Sequence, residues 1–196
     1  MLRFNNLVMA VGFIVLAGLC LYLRRVKGKE YQYLTLLSIF FVYIMYVFRF
    51  TLFPIPFSVE QAFQFNANLV PFRLDPYTRL LGREVLLNIL LSVPLGFGLP
   101  FLFRVRLKEA LVAGVGFGLV VETSQLLISL GIGYAYRVFD VNDLIFNFTG
   151  VMLGYGGFLL FAQAVLQLSR RWEFLRSSGL VSYLGLAEGV RVRDVA

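Results

Sequence analysis

Nine side chains in this chain combine types and spacings that suit chemistry at a membrane surface: Arg73, Glu84, Asn88, Glu122, Gln125, Arg137, Asp140, Asp143 and Asn147. Most of them interrupt apolar runs between residues 83 and 157, where a charged group costs at least a few kcal/mol unless it finds a partner or water, so such a cluster marks a functional site by default. Glu122, Asp140 and Asp143, crowded in low dielectric, are candidate acid or base groups. The same three, with Glu84, offer oxygen ligands to a divalent cation such as Mg²⁺ or Ca²⁺. Arg73 and Arg137, with Arg83, could hold a phosphate or carboxylate, and Asn88, Gln125 and Asn147 are suited to orienting a ligand. No nucleophile is evident, because Ser124 has no base beside it in sequence.

The elements that must carry these residues are helices. Asp140, Asp143 and Asn147 stand at i, i+3 and i+7, hence on one face, with Gly150 and Gly154 continuing near it. Gly114, Gly118, Glu122 and Gln125 form a second stripe. Small residues four apart let membrane helices approach closely, so these two helices are expected to meet along their glycines and to open into a polar pocket at one end.

Composition sets the class. The 196 residues are 59% hydrophobic, 16% aromatic and 15% charged, outside the range of an ordinary soluble domain. The reading is an all-α, polytopic membrane bundle of about five spans. The single Cys20 excludes an internal disulfide, and the absence of histidine excludes imidazole catalysis and most zinc sites. Cys20 follows Leu19 where a lipoprotein site wants a small residue, which argues against lipidation. A net charge of +7 does not point to nucleic acid, because the basic residues lie in short runs between apolar segments.

In chain order, spans are expected over residues 5–23, 31–53, 83–103, 107–129 and 141–168, each long enough to cross a bilayer. Pro94 and Pro100 predict a kink or break in the third. Arg49 either snorkels to the interface or pairs with an acid of the core. Residues 57–82 form a loop long enough to be functional or interfacial. Twelve Lys and Arg fall in segment 24–29, segment 104–108 and the tail, against five on the other side (Arg3, Arg73, Arg79, Arg83, Arg137). The positive-inside rule then puts the N-terminus outside, the C-terminus in the cytoplasm and every candidate residue near the outer leaflet.

Four co-linear pieces carry a resemblance: NLVPFR (68–73), LLNILLSVPLGFGLP (86–100), ETSQ (122–125) and RVFDVNDLIFNFTGVMLGY (137–155). They resemble the VanZ-like family of bacterial membrane proteins over roughly residues 45–160. The resemblance implies a multi-helix domain of the bacterial plasma membrane, linked in its founding member to teicoplanin, that is glycopeptide, resistance. It places the family's polar motif on Glu122, Gln125, Arg137, Asp140, Asp143 and Asn147. The chain then divides into an N-terminal helix with a basic cytoplasmic loop (1–30), a VanZ-like membrane domain (31–168) and a cytoplasmic tail (169–196), expected to be partly mobile.

Three functions suit these residues. The first is a pocket that binds or alters a membrane lipid, a lipid-linked cell-wall precursor or the lipid anchor of an antibiotic. The second is a small ion-coupled transporter or flippase, disfavoured by the near absence of polar residues in the inward halves of the helices. The third is a structural partner of envelope enzymes, in which Glu122 pairs with an Arg, Asp143 pairs with Asn88, and Asp140 and Asp143 cap a helix.

Overall fold

The computed structural model describes residues 1–56, 67–72, 82–103, 105–134, 137–172 and 181. Five helices account for the expected spans: α1 (Asn6–Arg25), α2 (Tyr31–Leu52), α3 (Arg83–Leu102), α4 (Leu107–Ile132) and α5 (Val141–Arg171). All five are long and apolar enough to cross a membrane. Local chemistry sets their ends. Asn5 caps α1 by accepting the Val8 N–H at 3.2 Å, and the Glu109 carboxylate reaches back to the Arg106 N–H at 2.8 Å at the start of α4. Gly133, at φ 69°, closes α4 in the left-handed conformation that glycine adopts without strain. α4 and α5 each run three residues beyond their expected ends.

The expected break in the third span is absent: α3 is one helix through Pro94 and Pro100. Proline removes an N–H and crowds the preceding turn, and neighbouring helices can satisfy the carbonyls this leaves. Pro94 leaves the Leu90 carbonyl, four residues back, without its helical donor, and Tyr43 of α2 braces the adjacent one, its hydroxyl donating to the Leu91 carbonyl at 2.6 Å. Arg49 makes no pair with an acid among the described residues. It is exposed, with its guanidinium 5.8 Å from the centre of the Tyr46 ring.

The closest pairing in the bundle is between α3 and α5, which run parallel. α4 returns between them in sequence and packs on α5, α2 packs on α3 and touches α4, and α1 lies on α2. This corrects the expectation that the glycines of α4 and α5 face one another. Gly150 and Gly154 of α5 face α3, where an added Cβ would overlap the carbonyls of Ile89 and Val93. Gly96 of α3 lies equally close to the Val151 carbonyl. Gly114 and Gly118 of α4 do meet α5, but against Phe148 and Leu144.

Farther along, Phe97 and Phe101 of α3 interlock with Phe158 and Phe161 of α5 at centroid distances of 5.3 to 6.2 Å. Val181 is buried against Phe158 and Ala162, and the remainder of the tail after Trp172 lies outside the described residues.

Two strands of two residues each, β1 (Ala67–Asn68) and β2 (Phe139–Asp140), pair in parallel and pin the segment before α3 to the start of α5. They were not expected, and they leave the class all-α.

The glycine contacts generate a prediction. Gly154→Ala should destabilise the detergent-solubilised protein by about 1–3 kcal/mol, because backbone atoms cannot step aside as a flexible side chain can. Gly156→Ala, with nothing within 4 Å of its added Cβ, should leave the thermal midpoint unchanged or raise it. Equal midpoints for the two variants would contradict the α3–α5 contact.

Candidate functional site

The start of α3, the end of α4 and the start of α5 come together at one end of the bundle. There they enclose an open cavity of about 820 Å³. Eight of the nine residues singled out from the sequence line it: Glu84, Asn88, Glu122, Gln125, Arg137, Asp140, Asp143 and Asn147. Arg73, the ninth, lies outside the described residues. Arg83 also lines the cavity.

Helix positions give the cavity its depth. With a rise of about 1.5 Å per residue, Glu122 lies roughly 15 Å from the end of α4 at Ile132, and Asn88 roughly 7.5 Å inside Arg83. Arg83, Glu84 and Arg137 are exposed at the mouth. Glu122 and Asn147, only 1% and 2% exposed, form the floor.

Hydrogen bonds show what each group already does. Asp140 is the N-cap of α5, accepting the Asn142 N–H at 2.8 Å, and its two oxygens also take the Asn68 amide at 3.1 and 3.2 Å. Asn142 in turn accepts the Phe72 N–H at 2.7 Å, holding a residue whose φ of 58° is unusual for a bulky side chain. Asp140 and Asn142 thus fasten segment 67–72 over the start of α5. Asp143 accepts the Asn88 amide at 2.6 Å, and one turn deeper Ser92 donates to Asn147 at 2.8 Å. Gln125 donates to the Thr51 carbonyl at 3.0 Å and ties α4 to α2. Glu122 accepts the Asp140 backbone N–H at 3.2 Å through Oε2.

The pairing of Asp143 with Asn88, weighed from the sequence as helix glue, is therefore present. The pairing of Glu122 with an Arg is not made among the described residues. Arg137 stands exposed at the mouth, near enough for its charge to act on both Glu122 and Asp143.

Three participants escaped the sequence reading. Ser92 carried a usable signal, since it lies one turn from Asn88 on the same face of α3. Asn68 offered only its place in NLVPFR, and Thr51 none, because its contribution is a backbone carbonyl. The cation reading of Glu122, Asp140 and Asp143 has no ready-made cage. Among the described residues no three acidic side chains converge closely enough to hold one ion.

Isosteric substitution separates the two kinds of acid. Glu122→Gln retains an acceptor for the Asp140 N–H and removes a buried acid that has no counter-charge in contact among the described residues, so it should melt no lower than wild type. A double-mutant cycle over Asn88→Ala and Asp143→Ala should return a coupling of about 0.6 kcal/mol, the average for interhelical hydrogen bonds in membranes, and at most about 1.7 kcal/mol. Zero coupling would remove this bond from the account of the fold.

No curated protein and no solved structure matches this chain. A family model described as VanZ/LLP1 matches residues 40–162, a range that holds α3 and α4 complete and every residue of the cavity. With its five apolar helices and its polar cavity inside the matched range, the chain is a multi-pass membrane protein of the VanZ-like, VanZ/LLP1 family.

Proposed function

We propose that the cavity binds the head group of a membrane lipid or lipid-linked envelope component that reaches it sideways from the outer leaflet of the bacterial plasma membrane. The observation that carries this reading is the composition of the cavity wall. Phe50, Leu87 and Leu90 line it yet are 63%, 51% and 64% exposed, so the apolar surface of α2 and α3 continues into a polar floor. Such a wall suits a ligand with a polar head and an apolar chain. Ligand sites of this kind pair apolar lining with a few fixed polar groups.

The charge distribution supports an outward-facing cavity. Arg24, Arg25, Lys27, Lys29, Arg106, Arg170 and Arg171 lie at the end of the bundle opposite the cavity, which directs the cavity end outward. A protein holding a lipid-linked cell-wall precursor, or the lipid anchor of an antibiotic, at that level would lower the action of a glycopeptide on the envelope. This accounts for the teicoplanin association that the resemblance implies.

A purely structural role is favoured by the bonds Asn88 to Asp143, Ser92 to Asn147 and Gln125 to Thr51, each of which ties two helices. It leaves the cavity and the burial of Glu122 without a purpose.

Two experiments test the proposal. In a Cys20→Ser background, a membrane-impermeant maleimide added to intact cells should label Val70→Cys, and should label Lys27→Cys only after permeabilisation. The reverse pattern overturns the orientation. Native mass spectrometry of protein extracted from its own membranes should show a phospholipid or polyprenyl species on the wild type that is missing from the Glu122→Gln, Asp143→Asn double variant. Identical spectra for the two would sink lipid binding at this cavity.

A further inference from the structure

We propose that the head group bound here joins a phosphate to a protonated primary amine, the amine seated at Glu122 and Asp143 and the phosphate at Arg83 and Arg137. This deepens the lipid-binding reading and rests on it.

The argument starts from what the cavity floor lacks. Glu122 is almost wholly buried, and Asp143 is half-buried beside it. Among the described residues neither makes an ion pair with a Lys or Arg. Their bonds use one oxygen each: Glu122 Oε2 takes the Asp140 N–H and Asp143 Oδ1 takes the Asn88 amide. Glu122 Oε1 and Asp143 Oδ2 receive no donor from a described residue, although both side chains line the cavity. A buried carboxylate without a partner is costly, so a ligand that supplies donors and positive charge would be favoured there.

The remaining floor groups strengthen the choice of a donor. One N–H of the Asn88 amide is committed to Asp143 and one of the Gln125 amide to the Thr51 carbonyl, while the two charged groups that line the floor, Glu122 and Asp143, offer acceptors when ionised. An ammonium group carries three N–H donors and no acceptor. A bare divalent cation fits less well, since no three acids converge among the described residues.

The mouth has the opposite character. Arg83 and Arg137 are exposed there, and guanidinium groups bind phosphate with matched, charge-assisted geometry. Along α3 the anion site at Arg83 lies towards the mouth and Asn88, which holds Asp143 of the cation site, lies five residues or about 7.5 Å deeper. Two lipid classes carry a phosphate and a primary amine in one compact head group: an amino-alcohol phospholipid, and a lipid phosphate bearing an amino sugar.

The test uses the full-length protein in detergent, titrated by native mass spectrometry with phosphatidylethanolamine, phosphatidylglycerol and phosphatidylcholine of identical acyl chains. Phosphatidylethanolamine should bind about tenfold more tightly than the other two, the value of one charge-assisted hydrogen-bonded contact. Glu122→Gln should reduce it to the level of phosphatidylglycerol, while Lys27→Gln, at the far end of the bundle, should leave the preference intact. Competition by soluble phosphoethanolamine or by glucosamine 1-phosphate then assigns the source of the amine.

Equal binding of the phosphatidylcholine lipid, whose ammonium cannot donate, would overturn the proposal. So would binding that is lost to a chelator and restored by Mg²⁺. Leu90→Trp, which narrows the opening without touching a hydrogen bond, separates the two levels of the argument. Lipid binding that it blocks but that ignores the head group removes the amine and keeps lipid binding. Binding indifferent to Leu90→Trp removes both.

Discussion

The close parallel approach of α3 and α5 is the constraint from which the rest of the structure follows. Gly96, Gly150 and Gly154 bring backbone against backbone over nearly two turns. A bilayer offers no hydrophobic drive for helices to associate, so packing and interhelical hydrogen bonds must do it. Both are present along one seam. Glycine contacts and interlocked phenylalanines hold its middle and far end, and two polar rungs, Asn88 to Asp143 and Ser92 to Asn147, hold the end at the cavity. Each rung joins residues 55 apart in the chain, which fixes the register of the two helices.

This arrangement creates the cavity. Two parallel helices held so closely leave α4 to return across α5, and its glycines admit Phe148 and Leu144 there. The carboxylate of Glu122 is thereby carried under the start of α5, where it accepts the Asp140 N–H. α2, joined to α3 through Tyr43 and to α4 through Thr51, forms the remaining wall. Its exposed Phe50 lines the opening. Segment 67–72 is held over the start of α5 by Asp140 and Asn142.

The polar residues of the cluster therefore divide by work done. Asp140 has both oxygens occupied by the cap and by Asn68, and Gln125 and Asn88 each have an amide N–H committed to another helix. Glu122 and Asp143 each keep an oxygen towards the cavity. Interhelical polar bonds in membranes contribute on average well under 1 kcal/mol, so the bonds account for the placing of these helices better than for the burial of an acid as deep as Glu122. The proposed lipid head group would reconcile the two, since Glu122 and Asp143 line the cavity and, among the described residues, each bonds through one oxygen only.

Apolar run length alone determined the five spans, because a bilayer requires about 20 apolar residues per crossing whatever the helices then pack against. Residue type and helical period likewise determined that Asp140, Asp143 and Asn147 share a face, and eight of the nine residues picked out do line one cavity. Which helices meet was decided only in three dimensions. Glycine spacing marks a helix face that admits a close neighbour but does not name that neighbour, so the stripe of α5 could be assigned to α4 when it faces α3. Proline chemistry was misleading for a related reason: the turn before Pro94 is braced at the Leu91 carbonyl by Tyr43, 48 residues away along the chain. Thr51 stayed hidden because its contribution is a backbone carbonyl, identical in every residue and set apart only by where the fold puts it.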